Sequence, residues 1–166
     1  MMPPVIDDAW PGELIVRSLT VADAEQIARW RYEGPWEVYN PRAEDGLMSD
    51  NPAYLAVAGD RDGPLIGFCC AGVEARVPGL SAQDDVLDIG VGMNPAWVGR
   101  GHGAEFAGAV LDHYRKTAAV RSLRTVVQAW NERSLRLMRS LGFTEAGDHV
   151  CEQDGKQVVY KVLVSG

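Results

Sequence analysis

The sequence has no apolar stretch approaching the roughly 20 residues that a membrane-spanning helix requires. Its start, MMPPVIDDAWPGE, is acidic where a secretory leader would be basic and then apolar. These absences predict a cytoplasmic protein with no membrane association and a frayed tail over residues 1–12. Cysteine is scarce: of three, Cys69 and Cys70 are adjacent in an apolar run and Cys151 is distant. That spacing suits neither a disulfide framework nor a metal site, so the expectation is buried thiols in a reducing compartment and no metal. Basic charge is also in deficit, with 16 Lys and Arg against 23 Asp and Glu for a net −7. A general affinity for nucleic acid is thereby disfavoured, and a cationic or neutral small partner is suited. No internal repeat or change of composition divides the 166 residues, which predicts a single folded domain over 13–166.

What is present alternates between the strand period and the helix period. ELIVRSL reads as a strand, and TVADAEQIARWRY as a helix capped by Thr20 with its apolar face at Ala24, Ile27, Ala28 and either Trp30 or Arg31. The stretch from Glu33 to Pro52, rich in proline and aromatics, reads as a structured loop with one short helical turn. AYLAVAGDRDGPLIGFCCAGVEA is a hairpin by its turn chemistry. VLDIGVGM is a strand, GAEFAGAVLDHYRKT a helix with Phe106, Ala109, Val110 and Tyr114 on one face, SLRTVVQAW a strand, and NERSLRLMRSLGF a helix stopped at Gly142. TEAGDHVCEQDGKQVVYKVLV closes the chain as a hairpin turning at QDGK. The fold class predicted is α+β, with a central, mostly antiparallel sheet and one parallel-type crossover between Val86 and Trp130.

The stretch VGMNPAWVGRGHGAEF lies at the strand-to-helix junction of that crossover. The first amides of a helix are unpaired and favour anions. Gly99, Gly101 and Gly103 remove side chains that would shield those amides, and Arg100 adds a positive charge. A phosphate or pyrophosphate is the ligand this chemistry asks for, although such glycines also make simple tight turns. A Walker loop is excluded, because Ala-Glu-Phe follows the last glycine where Gly-Lys-Ser/Thr is needed. A dinucleotide fingerprint is formally met by Gly99, Gly101 and Ala104. It stands in the wrong context: five residues, Asn94 to Val98, separate it from the strand, and no acidic residue ends the next strand.

LDIGVGMNPAWVGRGHGAEF, followed after a strand by WNERSLRLMRSLGF, resembles the GNAT superfamily of acetyl-CoA-dependent N-acetyltransferases. The family's cofactor loop, Gln/Arg-x-x-Gly-x-Gly/Ala, is met by Val98-Gly99-Arg100-Gly101-His102-Gly103. Its later helix, opening with Asn and closing with Gly-Phe, is met by Asn131, Ser134, Gly142 and Phe143. The likeness runs over residues 13–164 and implies a single-domain fold of about seven strands with a splayed parallel pair and about four helices. It also implies a bulge near Met93 that parts the strands. The pantetheine of acetyl-CoA would run along Val91, Gly92 and Met93, the pyrophosphate would sit on Val98, Gly99, Arg100, Gly101, His102, Gly103 and Ala104, and Asn131, Ser134 and Met138 would face the cofactor.

The activity so implied is transfer of an acetyl group from acetyl-CoA to a primary amine by direct attack in a ternary complex. A non-catalytic acetyl-CoA sensor or interaction module is the alternative. Val98 departs from the Gln or Arg of the motif, and Met138 stands where many relatives carry a tyrosine acid. Asp88 is the best candidate for a general base, or else a solvent-facing residue on a strand edge, and the Met93 amide is a candidate for polarising the thioester carbonyl. The His102 ring is expected to point to solvent or to an adenine-side phosphate. Trp30, Tyr32, Trp36 and Tyr39, with Glu33 and Glu37, would border the acceptor cleft and suit a cationic amine, or else form a satellite core. A small-molecule amine, a lysine or a protein N-terminus remains open as acceptor, as does a homodimer.

Overall fold

The computed structural model describes residues 10–60 and 62–165. Seven strands form one sheet in the order β1-β2-β3-β4-β5-β7-β6. They are β1 (Ile15–Ser18), β2 (Tyr54–Ala58), β3 (Leu65–Ala71), β4 (Val86–Met93), β5 (Ser122–Gln128), β6 (Thr144–Gln153) and β7 (Lys156–Ser165). Every neighbouring pair is antiparallel except β4 with β5, because only there does a helix-bearing crossover carry the chain back to the same end of the sheet. The α-helices among the described residues are α1 (Val21–Ala28), α2 (Gly103–Thr117) and α3 (Glu132–Ser140), with short 3₁₀ turns between elements. The α+β class and the single parallel pair follow the sequence expectation. Residues 1–9 of the expected frayed tail lie outside the described residues, whereas Trp10 packs edge-on against Trp97 with ring centroids 5.2 Å apart.

Local chemistry accounts for most element ends. Thr20 accepts from the Asp23 amide (3.1 Å) while the Asp23 carboxylate accepts from the Thr20 amide (2.9 Å), a reciprocal cap that starts α1. The helix stops at Ala28, four residues short of the expected Tyr32. The reason is tertiary: Trp30 turns into a small core with Ile27, Ala56 and Leu65, and the Tyr32 amide donates to Asn40 Oδ1 (2.6 Å). Beyond it the expected single helical turn is three 3₁₀ turns, Gly34–Tyr39, Ala43–Asp45 and Met48–Asp50. The QDGK hairpin has positive φ at Asp154 (52°) and Gly155 (74°), as a two-residue primed turn requires.

The main core lies between the sheet and the helices: Val57, Ile66, Ile89, Phe106, Val110, Leu135, Met138 and Leu163 are buried together. On α2 the buried face is Phe106, Ala107, Val110, Leu111 and Tyr114, with Ala109 at its margin. Phe106 also explains a glycine. A Cβ on Gly67 would lie 2.5 Å from the Phe106 ring and 2.4 Å from the Gly92 carbonyl, so β3 approaches β4 and α2 only without a side chain there. Cys69 and Cys70 are buried, and burial pushes their thiols up to about 11 and about 12. They are inert packing groups.

Candidate functional site

The site begins where β4 and β5 stop pairing. Val86, Leu87 and Asp88 pair with Ser122, Leu123 and Arg124. Beyond them β4 continues against β3 as far as Met93, and β5 against β7 as far as Gln128. The two strands therefore part like a V. The expected bulge near Met93 is not what parts them, since the β3–β4 register runs from Ile89 to Met93 without a shift. At the closed end is a buried ion cluster. Asp88, 2% exposed, accepts from Arg124 Nε (2.5 Å) and Nη2 (3.0 Å) and from Arg76 Nη1 (3.0 Å), while Arg124 Nη2 also donates to the Ser81 carbonyl (2.7 Å). This corrects one sequence reading of Asp88. It is not solvent-facing, and its oxygens are held by two guanidinium groups at the last paired rung.

Along the open edge of the V no described strand pairs with β4 beyond Asp88. The Asn94 amide donates to the Ile66 carbonyl on the β3 side (2.8 Å). Successive amides along a strand point to opposite edges, so the N–H groups of Val91 and Met93 face the gap, where no strand pairs them. A Cβ on Gly92 would meet the Phe68 ring at 2.3 Å, so that ring lies directly over the β4 backbone. The Met93 carbonyl accepts from the Tyr32 hydroxyl (2.6 Å), and burial pushes that hydroxyl up to about 12, so it stays a donor.

From β4 the chain passes through a 3₁₀ turn, Pro95–Trp97, capped by Asn94 Oδ1 accepting from the Ala96 amide (3.0 Å). Val98 ends that turn, and the glycine loop follows. Gly99 and Gly101 have φ of +78° and +85° with open space around a notional Cβ, so backbone conformation is what requires glycine there. Gly103 differs: it opens α2 at an ordinary φ, and a Cβ would rest 3.4 Å from Leu137. The first helical bond is from the Phe106 amide to the His102 carbonyl (3.1 Å). Ahead of it, among the described residues, the N-cap His102 makes no side-chain cap to the amides of Gly103, Ala104 and Glu105, and such a helix start favours anions. His102 is placed otherwise than the sequence suggested. Its ring stacks flat on Trp10 (4.1 Å, 1° between planes). Trp10 Nε1 donates to the Glu105 carboxylate (2.6 Å), and the Arg100 guanidinium lies 5.4 Å from the centre of the Trp97 ring.

The later helix is capped by Asn131, whose Oδ1 accepts from the Ser134 amide (3.3 Å) and whose Nδ2 donates to the Tyr39 hydroxyl (3.1 Å). Asn131 is 4% exposed, so both ends of its amide serve the protein. Ser134 is half-buried on α3, and Met138, 4% exposed, is part of the core. Tyr32 and Tyr39 thus pin the two ends of the Gly34–Tyr39 turn, one to the end of β4 and the other to the β5–α3 junction. The turn spans the open mouth of the V. Burial raises the Tyr39 hydroxyl as well. Trp30 leaves this group, being stacked on Phe68 in the smaller core (6.1 Å).

Sequence reasoning missed four residues beside this strap. Trp130 stacks on Tyr39 (6.1 Å) and meets Trp36 edge-on (6.0 Å), and the Arg133 guanidinium lies over Trp36 (4.5 Å). Glu132, Arg133 and Arg136 join Pro35, Trp36 and Trp130 around an open cleft of about 490 Å³. The signal was the charge spacing on the outer face of the NERSLR helix start, obscured by reading that motif for the cofactor alone. Among the described residues no group of three or more His, Cys, Asp or Glu is placed to hold a metal ion, and no helix is long and apolar enough to cross a membrane.

A family model described as acetyltransferase (GNAT) domain matches residues 13–144. Solved structures share the fold. An acetyltransferase of the GNAT family from Bacillus anthracis is 17% identical with a TM-score of 0.72, over 91% of this chain and 93% of that one. A chimera of the spermidine N-acetyltransferase SpeG from Vibrio cholerae with hSSAT is 19% identical with a TM-score of 0.68, over 92% and 94%. A mutant structure of the spermidine/spermine N-acetyltransferase SpeG from Vibrio cholerae is 18% identical with a TM-score of 0.65, over 92% and 93%. No curated protein sequence matches significantly.

Proposed function

Because this chain belongs to the GNAT acetyltransferase family, we propose that it transfers an acetyl group from acetyl-CoA to a primary amine held under the 34–39 strap, both substrates being bound together. The observation that supports this most is the V between β4 and β5. Its open edge offers the Val91 and Met93 amides to a chain of amides such as pantetheine, and it runs on to the uncapped start of α2, which suits a pyrophosphate. The residues fit the donor: at the positive-φ glycines 99 and 101 the space beside the backbone is open, and among the described residues the N-cap side chain makes no cap at the helix start.

Acetyl-CoA supplies an activated acyl group whose thiol leaves readily, since a thiol pKa is near 8.5. The protein's part is mainly positioning. The reaction joins the amine nitrogen to the acyl carbon and breaks that carbon's bond to sulfur. The Met93 N–H, facing the gap, is placed to donate to the acyl oxygen as charge gathers there. The next peptide along is held by Tyr32, whose hydroxyl donates to the Met93 carbonyl. The proton of the attacking amine passes to solvent, since Asp88 is locked in its ion cluster and Tyr32 holds its own proton. Activity therefore climbs with pH as the free amine forms.

The test is a pair of measurements. Acetyl-CoA should raise the melting temperature while nicotinamide dinucleotides do not, and free thiol should then appear when an amine panel is added. Stabilisation by the dinucleotides alone would refute the family's donor for this chain. Tight acetyl-CoA binding without transfer or slow hydrolysis would instead favour the sensor reading.

A further inference from the structure

The cleft beside the strap differs in charge from the rest of the protein. In a chain of net charge −7, Arg133 and Arg136 line one small cleft with Trp36, Trp130, Pro35 and a single carboxylate, Glu132. Neither guanidinium is paired with a carboxylate among the described residues. Arg133 lies instead over Trp36, so the aromatic face that the sequence suggested for a cationic ligand is already covered by a cation. Both arginines stand in the first two turns of α3 (Glu132–Ser140), where the helix dipole disfavours positive charge. The dipole gives Arg133, in the first turn, no local reason to be basic, whereas Arg136 has the i,i+4 spacing from Glu132 that suits a helix surface. Their charges, the dipole and the tryptophan walls converge on the same small space, and a guanidinium is the side chain best shaped for a planar oxyanion.

The cleft is also in the right place. The strap that carries Pro35 and Trp36 is pinned by Tyr32 to Met93 at the tip of β4 and by Tyr39 to Asn131 at the start of α3. Trp130 lies between Gln128, the last residue of β5, and Asn131. An acceptor whose amine reaches the mouth of the V beneath the strap would therefore leave the remainder of its body in this cleft.

Resting on the transfer activity proposed above, we infer that the acceptor is an amine that also carries a carboxylate, with Arg133 and Arg136 holding the carboxylate and Trp36 and Trp130 flanking the body between. An α-amino acid is the simplest such compound. A polycationic amine such as spermidine would meet two guanidinium groups and is a poor acceptor. Glu132 opposes the anion and moderates its binding.

The experiment compares matched acceptors that differ only in the carboxylate, for instance phenylalanine with phenethylamine and methionine with 3-(methylthio)propylamine, and includes spermidine. Initial rates are measured with saturating acetyl-CoA at one pH, and kcat/KM is referred to the free-amine fraction. The carboxylate should raise kcat/KM roughly 10- to 100-fold, the weight of a hydrogen-bonded charge pair. Arg133→Gln combined with Arg136→Gln should bring the ratio of the two acceptors towards one, through KM for the acceptor, with KM for acetyl-CoA unmoved. Glu132→Gln should raise the ratio. Equal or better use of the amines without carboxylate, or a preference that survives removal of both arginines, would overturn the inference and leave the acetyltransferase reading standing. A rise in KM for acetyl-CoA in place of the acceptor's would assign the arginines to the donor and overturn it too. Failure of acetyl-CoA to stabilise the protein would instead bring down the proposed function itself.

Discussion

Asp88 is the residue on which a structural and a catalytic account diverge most sharply. Its carboxylate accepts from two guanidinium groups, and its main partner Arg124 is only 2% exposed. Asp88→Asn preserves shape but removes the charge, leaving a buried cation with one amide oxygen in place of a carboxylate. Breaking a buried ion pair from one side costs about 3–5 kcal/mol, a large part of the ~5–15 kcal/mol that holds a domain together. For a domain of this size each kcal/mol moves the melting temperature by about 2–4 °C, so a fall of roughly 6–20 °C is expected. Calorimetry or far-ultraviolet circular dichroism measures it. The acetyl-transfer rate, taken at a low temperature where the variant is still folded, should remain within about threefold of wild type. The double variant Asp88→Leu with Arg124→Met should recover much of the stability, because it removes the fully buried Arg124 charge as well and leaves unpaired only Arg76, whose side chain is 21% exposed. If Asp88→Asn instead melts within ~2 °C of wild type and loses on the order of 10²-fold in rate, the carboxylate is a general base and this reasoning is wrong.

Gly103→Asp separates fold from binding. A Cβ at 103 only touches Leu137, and an acid in the first turn of a helix is favourable, so the melting temperature should hold or rise slightly while stabilisation by acetyl-CoA disappears. Retained stabilisation would show that the start of α2 is not the anion seat. Trp10→Phe keeps a ring on His102 but drops the bond to Glu105, freeing a carboxylate beside that seat. Acetyl-CoA should then bind about 3–10-fold more weakly, and adding Glu105→Gln should restore affinity. No restoration would place the effect in lost packing. With native protein at pH 8, iodoacetamide should label Cys151 and spare Cys69 and Cys70, whose thiols burial pushes up to about 11 and about 12. Since those groups hold protons longer in the folded state than in the unfolded one, stability should fall as pH rises above about 9. Early labelling at 69 or 70 on mass spectrometry would contradict this.

The residues that announced themselves in the sequence did so through local physics. Gly99 and Gly101 were legible because a positive φ next to a helix start needs glycine, and the Asp154-Gly155 turn because a primed turn needs the same. Strand and helix order followed from periodicity. The failures were tertiary. Asp88 read as a candidate base because nothing in VLDIGVGM tells that Arg76 and Arg124 converge on it from residues 12 and 36 positions away. The end of α1 was overrun because Trp30 and Tyr32 are drawn off by partners in β2, β3 and β4. The parting of β4 and β5 needs no bulge, as it begins where their pairing ends just past the ion cluster, and no residue spells that out. The aromatic strap was found for its tryptophans and tyrosines. The charge around it was not legible from the segment itself, because Arg133 and Arg136 come from a helix nearly a hundred residues later.

The central claim is that acetyl-CoA lies in the V between β4 and β5 with its pyrophosphate at the start of α2. Residue-resolved amide hydrogen exchange, with and without acetyl-CoA, tests it most directly. The amides of Val91, Met93, Gly103, Ala104 and Glu105 should become protected on binding, while those of Val86, Leu87 and Asp88, already within the paired end of the V, stay as they were. Binding that leaves Val91 and Met93 exchanging freely, or that protects a different edge of the sheet, would contradict the account.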